Sequence, residues 1–470
     1  MAKSEKSLFL EQKTAWERWN DKEVKMVFSF ADEYREFLNT NKTEYEFTES
    51  TIRELEKNGY RSYEKVASSG KVAFPLKIYF NNRGVCVSAF QLQKDFRERG
   101  LNLILSHIDA PRIDMRQNPL REDFSLAFFK TIYYGGIRRY QWANIPLALH
   151  GVICTKGGKT VKVSIGEKES EPVFMICDLL PHIKGSQTER KAADVFKGEE
   201  LDVTAGSIPS SVKDDKVKDR VKAKVLELLH EKYGLVEQDL FTADLQFVPA
   251  WPVRDMGLDR GLLAGYGHDD RICAYTSLRA LLDTPRSKSS FGVYFMDKEE
   301  IGSTGATGAQ SRFVENCIVR ILNLVKSPDP EFHRVDLLEK SRAISADVGI
   351  AITPIFADSF DTKGDPKLGF GTIVSKFVGG GGKSGSHEAR APFAGMVTRL
   401  FDEKKIPWQV GGFGKVDLAG GGTVAKFIAQ YNMDIIDIGP GVVSMHSPCE
   451  VISKADLYST YLAYHAFLGC

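Results

Sequence analysis

The sequence predicts an α/β protein with a mainly parallel central sheet and flanking helices, interrupted by a separate α+β lobe. Three observations predict it. Short apolar runs at Phe291 to Met296, Arg342 to Ala346 and Asp434 to Ile438 are each followed by acidic residues or glycines. Strands that alternate with helices in this way imply parallel pairing, with the loops gathered at one end. The texture then differs between about residues 115 and 254. There Val161, Val163 and Ile165 alternate with polar neighbours as a half-buried strand, and Val217, Val221, Val225 and Leu228 follow a helical spacing in a highly charged segment. Finally, a chain of 470 residues is too long for one compact core. The reading is a unit built from residues 1–114 and 255–470, with 115–254 inserted as a separate α+β lobe.

The segment before the insertion reads as helix and then strand. Glu23 to Leu38 has apolar residues at helical spacing, Val85 to Phe90 is a short apolar run, and Leu101 to Leu105 makes a buried strand. That strand ends in Ser106-His107-Ile108-Asp109-Ala110-Pro111. Pro111 stops regular continuation, so His107 and Asp109 are presented at a strand's carboxyl end, where open α/β sheets keep their sites. No repeat of fixed period is evident, and the Gly379 to Gly382 run is too short for a linker.

Composition excludes several classes. A hydrophobic share of 43% and a charged share of 27% are ordinary for a globular chain. Lys plus Arg number 63 against 62 for Asp plus Glu, which gives no field to hold a polyphosphate backbone, so nucleic acid is not an expected partner. Seven cysteines, an odd set with no C-x-x-C spacing, argue against a disulfide framework and a thiolate metal site. Reduced thiols fit a cytoplasmic protein. The first twenty residues carry Lys3, Glu5, Lys6, Glu11 and Lys13, and their longest apolar run is Leu8-Phe9-Leu10. No run of eighteen apolar residues follows anywhere. Neither a signal peptide nor a membrane span is expected.

Five segments place His, Asp or Glu at or just beyond an apolar run: His107 to Asp109, His268 to Arg271, Asp297 to Ser303, Ser345 to Asp347 and Ser444 to Ser447. Taken singly they are weak, because an Asp-Asp-Arg or Glu-Glu pair is ordinarily a solvated surface pair. Together they supply enough carboxylate and imidazole ligands for two divalent ions such as zinc, manganese or cobalt, and a close pair of ions needs one carboxylate between them. Asp269 is the candidate bridge. Asp109 is either the group that orients His107 or a ligand itself. Adjacent residues on a turning backbone point different ways, so Glu300 is read as a ligand and Glu299 as the general base that takes a proton from a metal-activated water. The nearby Gly302, Gly305 and Gly308 allow close backbone approach.

At these segments the chain strongly resembles the aspartyl aminopeptidase family of cocatalytic zinc aminopeptidases. The resemblance rests on Ser106 to Pro111, Asp269-Asp270-Arg271, Asp297-Lys298-Glu299-Glu300-Ile301-Gly302-Ser303, Ser345-Ala346-Asp347 and Ser444-Met445-His446-Ser447-Pro448-Cys449-Glu450. It implies that His107, Asp269 and Asp347 hold one zinc and that Asp269, Glu300 and His446 hold the other. It also implies that Glu299 is the base and that Asp109 orients His107. By the same resemblance the insertion is a dimerisation lobe, dimers assemble into a tetrahedral dodecamer, and His182 reaches a neighbouring subunit's active site. Lys376 resembles a substrate-contacting lysine, and Gly421 and Gly422 resemble a glycine-rich stretch lining the substrate pocket.

Three positions depart from or add to the pattern: Ile350 stands where the family has a histidine, Ser384 where it often has a tyrosine, and Lys383 lies in the glycine run. A cation in the first-residue pocket favours an acidic amino-terminal side chain, whereas Ile350 points to an apolar or mixed preference. The expected activity is removal of the first residue from short peptides with a free amino terminus. The rivals are a carboxypeptidase or amide deacylase on the same two-metal sheet, and a non-catalytic metal-binding assembly protein.

Overall fold

Apolar runs become the centre of a sheet when both of their faces are covered. In the computed structural model, which describes residues 13–470 apart from 184, 186, 213–217, 286 and 413, the strand Phe291–Met296 is buried along its whole length. Phe291, Val293 and Phe295 belong to one apolar cluster, and Tyr294 and Met296 to the other. Leu103 and Leu105 of the neighbouring strand divide from Ile104 in the same way. Each such buried side chain contributes roughly 1.5–3 kcal/mol of hydrophobic stabilisation.

The sheet these strands centre has nine strands, in the order Arg61–Ser62, Leu76–Asn81, Val87–Leu92, Phe291–Met296, Asn102–His107, Arg342–Ser345, Asp434–Gly439, Thr372–Ser375 and Trp408–Val410. The four strands from Phe291–Met296 to Asp434–Gly439 run parallel. Helices Asp21–Thr40, His268–Leu282 and Lys454–Gly469 cover one face, and Phe313–Leu324 lies on the other. The expected central sheet with flanking helices is therefore present. The first long helix starts earlier than its apolar pattern, because Asn20 caps the amides of Lys22 and Glu23 while the Glu23 carboxylate returns to the Asn20 amide.

A second sheet of six antiparallel strands is built entirely between residues 112 and 249, in the order Thr160–Ile165, Leu147–Cys154, Ala243–Pro249, Arg112–Asp123, Leu126–Tyr134 and Val203–Gly206. It has its own apolar cluster. The strand Arg112–Asp123 runs across residue 114, so the sheet begins slightly before the texture change. Helix Arg220–Tyr233 buries Val221, Val225 and Leu229, not Leu228, which is 51% exposed. The expected face was one residue out, since steps of four carry the stripe from Val225 to Leu229. Val217 and the Leu8-Phe9-Leu10 run lie outside the described residues.

A partly buried ionic cluster ties the second sheet to the helix Glu44–Lys57 and the turn before it. His150, on the strand Leu147–Cys154, holds Glu46 through Nδ1 and Glu167 through Nε2, each at 2.8 Å. Lys42 Nζ reaches Glu167 Oε1 at 2.7 Å. Burial disfavours the His150 imidazolium, but Glu167 and Glu46 outweigh it and push its pKa from 6.5 up to about 9. A folded-state pKa raised in this way contributes stability that is fully present below the unfolded value and lost as pH rises through about 9. The midpoint of thermal unfolding is expected to fall between pH 7 and pH 10, and His150→Gln to lower it at pH 7 and flatten that fall. Scanning calorimetry across the range checks both.

A third sheet joins Arg254–Met256, Leu262–Gly265, Glu450–Ser453, Gly441–Val443 and Gly349–Ile350. Its strands are two to four residues long, too short to show a period in sequence. It positions the loop that carries His446, between Gly441–Val443 and Glu450–Ser453. Among the described residues no helix is long and apolar enough to cross a membrane, and all seven cysteines are free thiols.

Candidate metal centre

Each candidate ligand arrives on its own element. His107 ends the strand Asn102–His107, Asp269 opens the helix His268–Leu282, and Glu299 and Glu300 sit on the turn after Phe291–Met296. Asp347 follows Arg342–Ser345. Parallel strands present their following loops at one edge, and that edge gathers these residues with His446 from the small sheet.

Two groups of three result: His107, Asp269 and Asp347, and Asp269, Glu300 and His446, with the ligand atoms of each within 4.8 Å of one another. Asp269 belongs to both, and its two oxygens divide between them. His107 Nε2 lies 3.3 Å from Asp269 Oδ1, and His446 Nε2 lies 3.2 Å from Oδ2. His107 Nε2 is also 3.8 Å from Asp347 Oδ1, and His446 Nε2 is 3.4 Å from Glu300 Oε2. Two donors about 2.0–2.1 Å from one tetrahedral ion stand roughly 3.3–3.4 Å apart, whereas a direct N–H···O bond closes to about 2.9 Å. Three of the four separations match donors that share an ion, and the His107–Asp347 pair at 3.8 Å is wider.

Both imidazoles are oriented for this. His107 Nδ1 donates to the carbonyl of Asp109 and His446 Nδ1 to the carbonyl of Gly136, each at 2.9 Å, which leaves each Nε2 lone pair facing the carboxylates. Asp109 therefore orients His107 mainly through its main-chain oxygen. Its carboxylate is 3.3 Å from Nδ1 and has a second task. Oδ1 accepts the Glu299 amide at 3.1 Å, and Oδ2 accepts the Glu300 amide at 3.2 Å.

Glu450 mirrors Asp109 from the other side. Its Oε2 accepts the Asp269 amide at 3.0 Å and its Oε1 the His446 amide at 2.8 Å. Sequence reasoning gave Glu450 no role, although it closes the Ser444 to Glu450 motif four residues after His446. Asp270 accepts the His107 amide at 3.3 Å, and Arg271 reaches the carbonyls of Lys42 and Ile108. In Asp-Asp-Arg, then, only the first residue faces the donor groups. Asp297 is taken up by Lys298 and Thr307, both at 2.7 Å.

The electrostatics call for cations. Burial, reinforced by the charge on Asp269, pushes Glu300 well above the usual carboxylate range. Burial also pushes Asp347 well up against the pull of His107, with Glu299 and Asp269 adding repulsion. Burial opposes the Asp269 anion too, but His107 and His446 outweigh it and hold its pKa low. Glu300 Oε1 is buried with no hydrogen-bond partner, an arrangement that divalent ions would satisfy. Glu299 belongs to neither donor group, and burial raises its pKa as well.

The remaining candidates make other contacts. Lys376 and Lys383 both pair with Glu388, at 3.3 and 2.9 Å. Gly421 and Gly422 follow Gly420, where an added Cβ would run into the Gly380 backbone, so that run packs against the Gly379 to Gly382 loop. Gly422 itself lies against Gly385 and Lys426. His182 is exposed beside exposed Leu179, Leu180 and Ile183.

An aspartate shared by two imidazole–carboxylate groups, at the loop edge of a parallel sheet, with a free glutamate alongside, defines a metal-dependent hydrolase. The chain belongs to the aminopeptidase I zinc metalloprotease (M18) family, whose model matches residues 37–468. It is 41% identical over 463 residues to a probable M18 family aminopeptidase 1 from Clostridium acetobutylicum, covering 98% of this chain and 99% of that one. It is 43% identical over 459 residues to the Thermotoga maritima protein of the same description, with the same coverage. The crystal structure of an M18 aminopeptidase from Thermotoga maritima superposes with a TM-score of 0.93 at 42% identity, over 98% of this chain and 99% of that one. Aminopeptidase I from Clostridium acetobutylicum gives 0.91 at 39%, over 98% and 100%. The protein is a zinc-dependent aminopeptidase, as the sequence motifs imply.

Proposed function

We propose that the chain removes the first residue of short peptides with a free amino terminus, using two zinc ions held by His107, Asp269 and Asp347 and by Asp269, Glu300 and His446. The division of the Asp269 oxygens between two imidazoles carries this reading. When bound, such ions supply Lewis acidity and lower the pKa of a water to near 7. Glu299 takes the proton of the attacking water and returns it to the departing amine, a role open to it because no donor group uses its carboxylate. Asp109 holds the Glu299 amide and thereby fixes where the base points. Hydrolysis of a free amino-acid nitroanilide, compared with its acylated form, tests the reading; a strict requirement for the acylated form would sink it.

The first-residue preference follows from charge. Glu388 occupies both Lys376 and Lys383, and Ile350 replaces a polar side chain beside Asp347, so uncharged first residues are favoured over Asp and Glu. In a nitroanilide panel, kcat/KM for Leu is expected to exceed that for Glu by about tenfold or more. Glu388→Gln releases both lysines and narrows the gap. A wild-type preference for Glu would reverse this assignment.

Residues 115–254 are proposed as an inserted lobe through which copies of the chain pair and assemble, up to a tetrahedral dodecamer, with 1–114 and 255–470 as the catalytic unit. Exposed apolar side chains on the second sheet and its loops, among them Ile132, Tyr133, Leu179, Leu180 and Ile183, support pairing there. The yeast mApe1 dodecamer, 21% identical, shares the fold with a TM-score of 0.74. Sedimentation of wild type against Leu180→Glu tests the lobe's role. Free thiols throughout suit a reducing, cytoplasmic setting.

A further inference from the structure

The strand Leu126–Tyr134 of the six-stranded sheet ends against the donor groups, and the chain then turns through Gly135 and Gly136. Three contacts join this segment to the site. The Tyr134 hydroxyl donates to Asp109 Oδ2 at 2.8 Å. The Gly136 carbonyl accepts from His446 Nδ1 at 2.9 Å. At Gly135 the φ of +76° favours glycine, and an added Cβ would lie 3.4 Å from both Cβ and Oε2 of Glu300. The Tyr134 ring is itself fixed, with the Arg112 guanidinium 3.8 Å from its centroid. Arg112 is pinned by Glu44 at 2.5 Å and Asp114 at 2.7 Å.

We propose that Tyr134 is a positioning residue for peptide hydrolysis, its hydroxyl fixing the Glu299–Glu300 turn through the Asp109 carboxylate. The proposal rests on the reading of Glu299 as the base. Two of the donors to that carboxylate are the amides of the turn itself. Carboxylate and turn could rock together if those were the only restraints. The Tyr134 hydroxyl comes from a different sheet and ties the pair to the strand Leu126–Tyr134. A displacement of about 1 Å at a reacting group costs roughly 10²-fold in rate, and loss of an outer contact to a metal site costs about 10- to 100-fold in affinity or activity. The active site thus depends on the second sheet within the same chain.

Tyr134→Phe keeps the ring against Arg112 and deletes one oxygen. The expected result is a kcat about 10- to 100-fold lower, a KM within about twofold, and unchanged zinc content, assembly size and thermal midpoint. Glu299→Gln is measured alongside. If Glu299→Gln turns over like wild type, the base reading fails and the proposal falls with it. If Glu299→Gln is inactive while Tyr134→Phe keeps wild-type kcat, the base stands and the positioning role is overturned. A fall in Tyr134→Phe activity that follows zinc loss in proportion also overturns it, since the hydroxyl would then serve metal retention.

Discussion

Asp269→Asn is expected to leave the chain without either of the two proposed zinc ions and at least about 10³-fold less active, because the Lewis acid and the water it activates are lost together. Asp269 is the one residue common to both donor groups, with one oxygen turned to each imidazole. An amide offers one neutral oxygen in place of two anionic ones, so neither ion keeps its shared ligand. His107→Ala and His446→Ala each remove a donor from one group only, and each is expected to weaken mainly one ion. Metal counting on dialysed variants separates the cases. Equal loss of both ions from all three variants would show that the two sites fill cooperatively and that the aspartate has no special place.

Glu299→Gln is expected to give the opposite pattern. Zinc content, assembly and KM stay near wild type while kcat falls about 10²- to 10⁴-fold, the usual contribution of a general base. The substitution is isosteric, and Glu299 lies outside both donor groups, so metal retention does not depend on it. Its amide, held by Asp109, is untouched. Substantial turnover in this variant would show that another group moves the proton.

The central architecture was legible because the strands Phe291–Met296, Asn102–His107 and Asp434–Gly439 are covered on both faces and so read as continuous apolar runs. His107, Glu299, Glu300 and Asp347 were legible because each ends or follows a buried strand of the central sheet. The third sheet was not, since a strand like Gly349–Ile350 has only two residues and is held in place by its partners. Main-chain contacts were equally hidden. Nothing in the side-chain order shows that the Asp109 carbonyl, more than its carboxylate, turns His107, or that Glu450 grips two amides. Lys376 offered a positive charge in sequence, but Glu388, twelve residues on, pairs with it through the bridge Phe377–Glu388. Tyr134 carried no signal in sequence, since only the second sheet brings it to Asp109.

Asp109 and Glu450 hold the ligand-bearing loops by their amides, and those bonds do not pass through any ion. Chelation should therefore drain the centre without collapsing it, unlike small zinc domains whose apo forms unfold. Reactivation of the stripped enzyme would then be a matter of ion entry, free of a slow conformational lag. Exchange of zinc for cobalt or manganese becomes a replacement in a standing cradle.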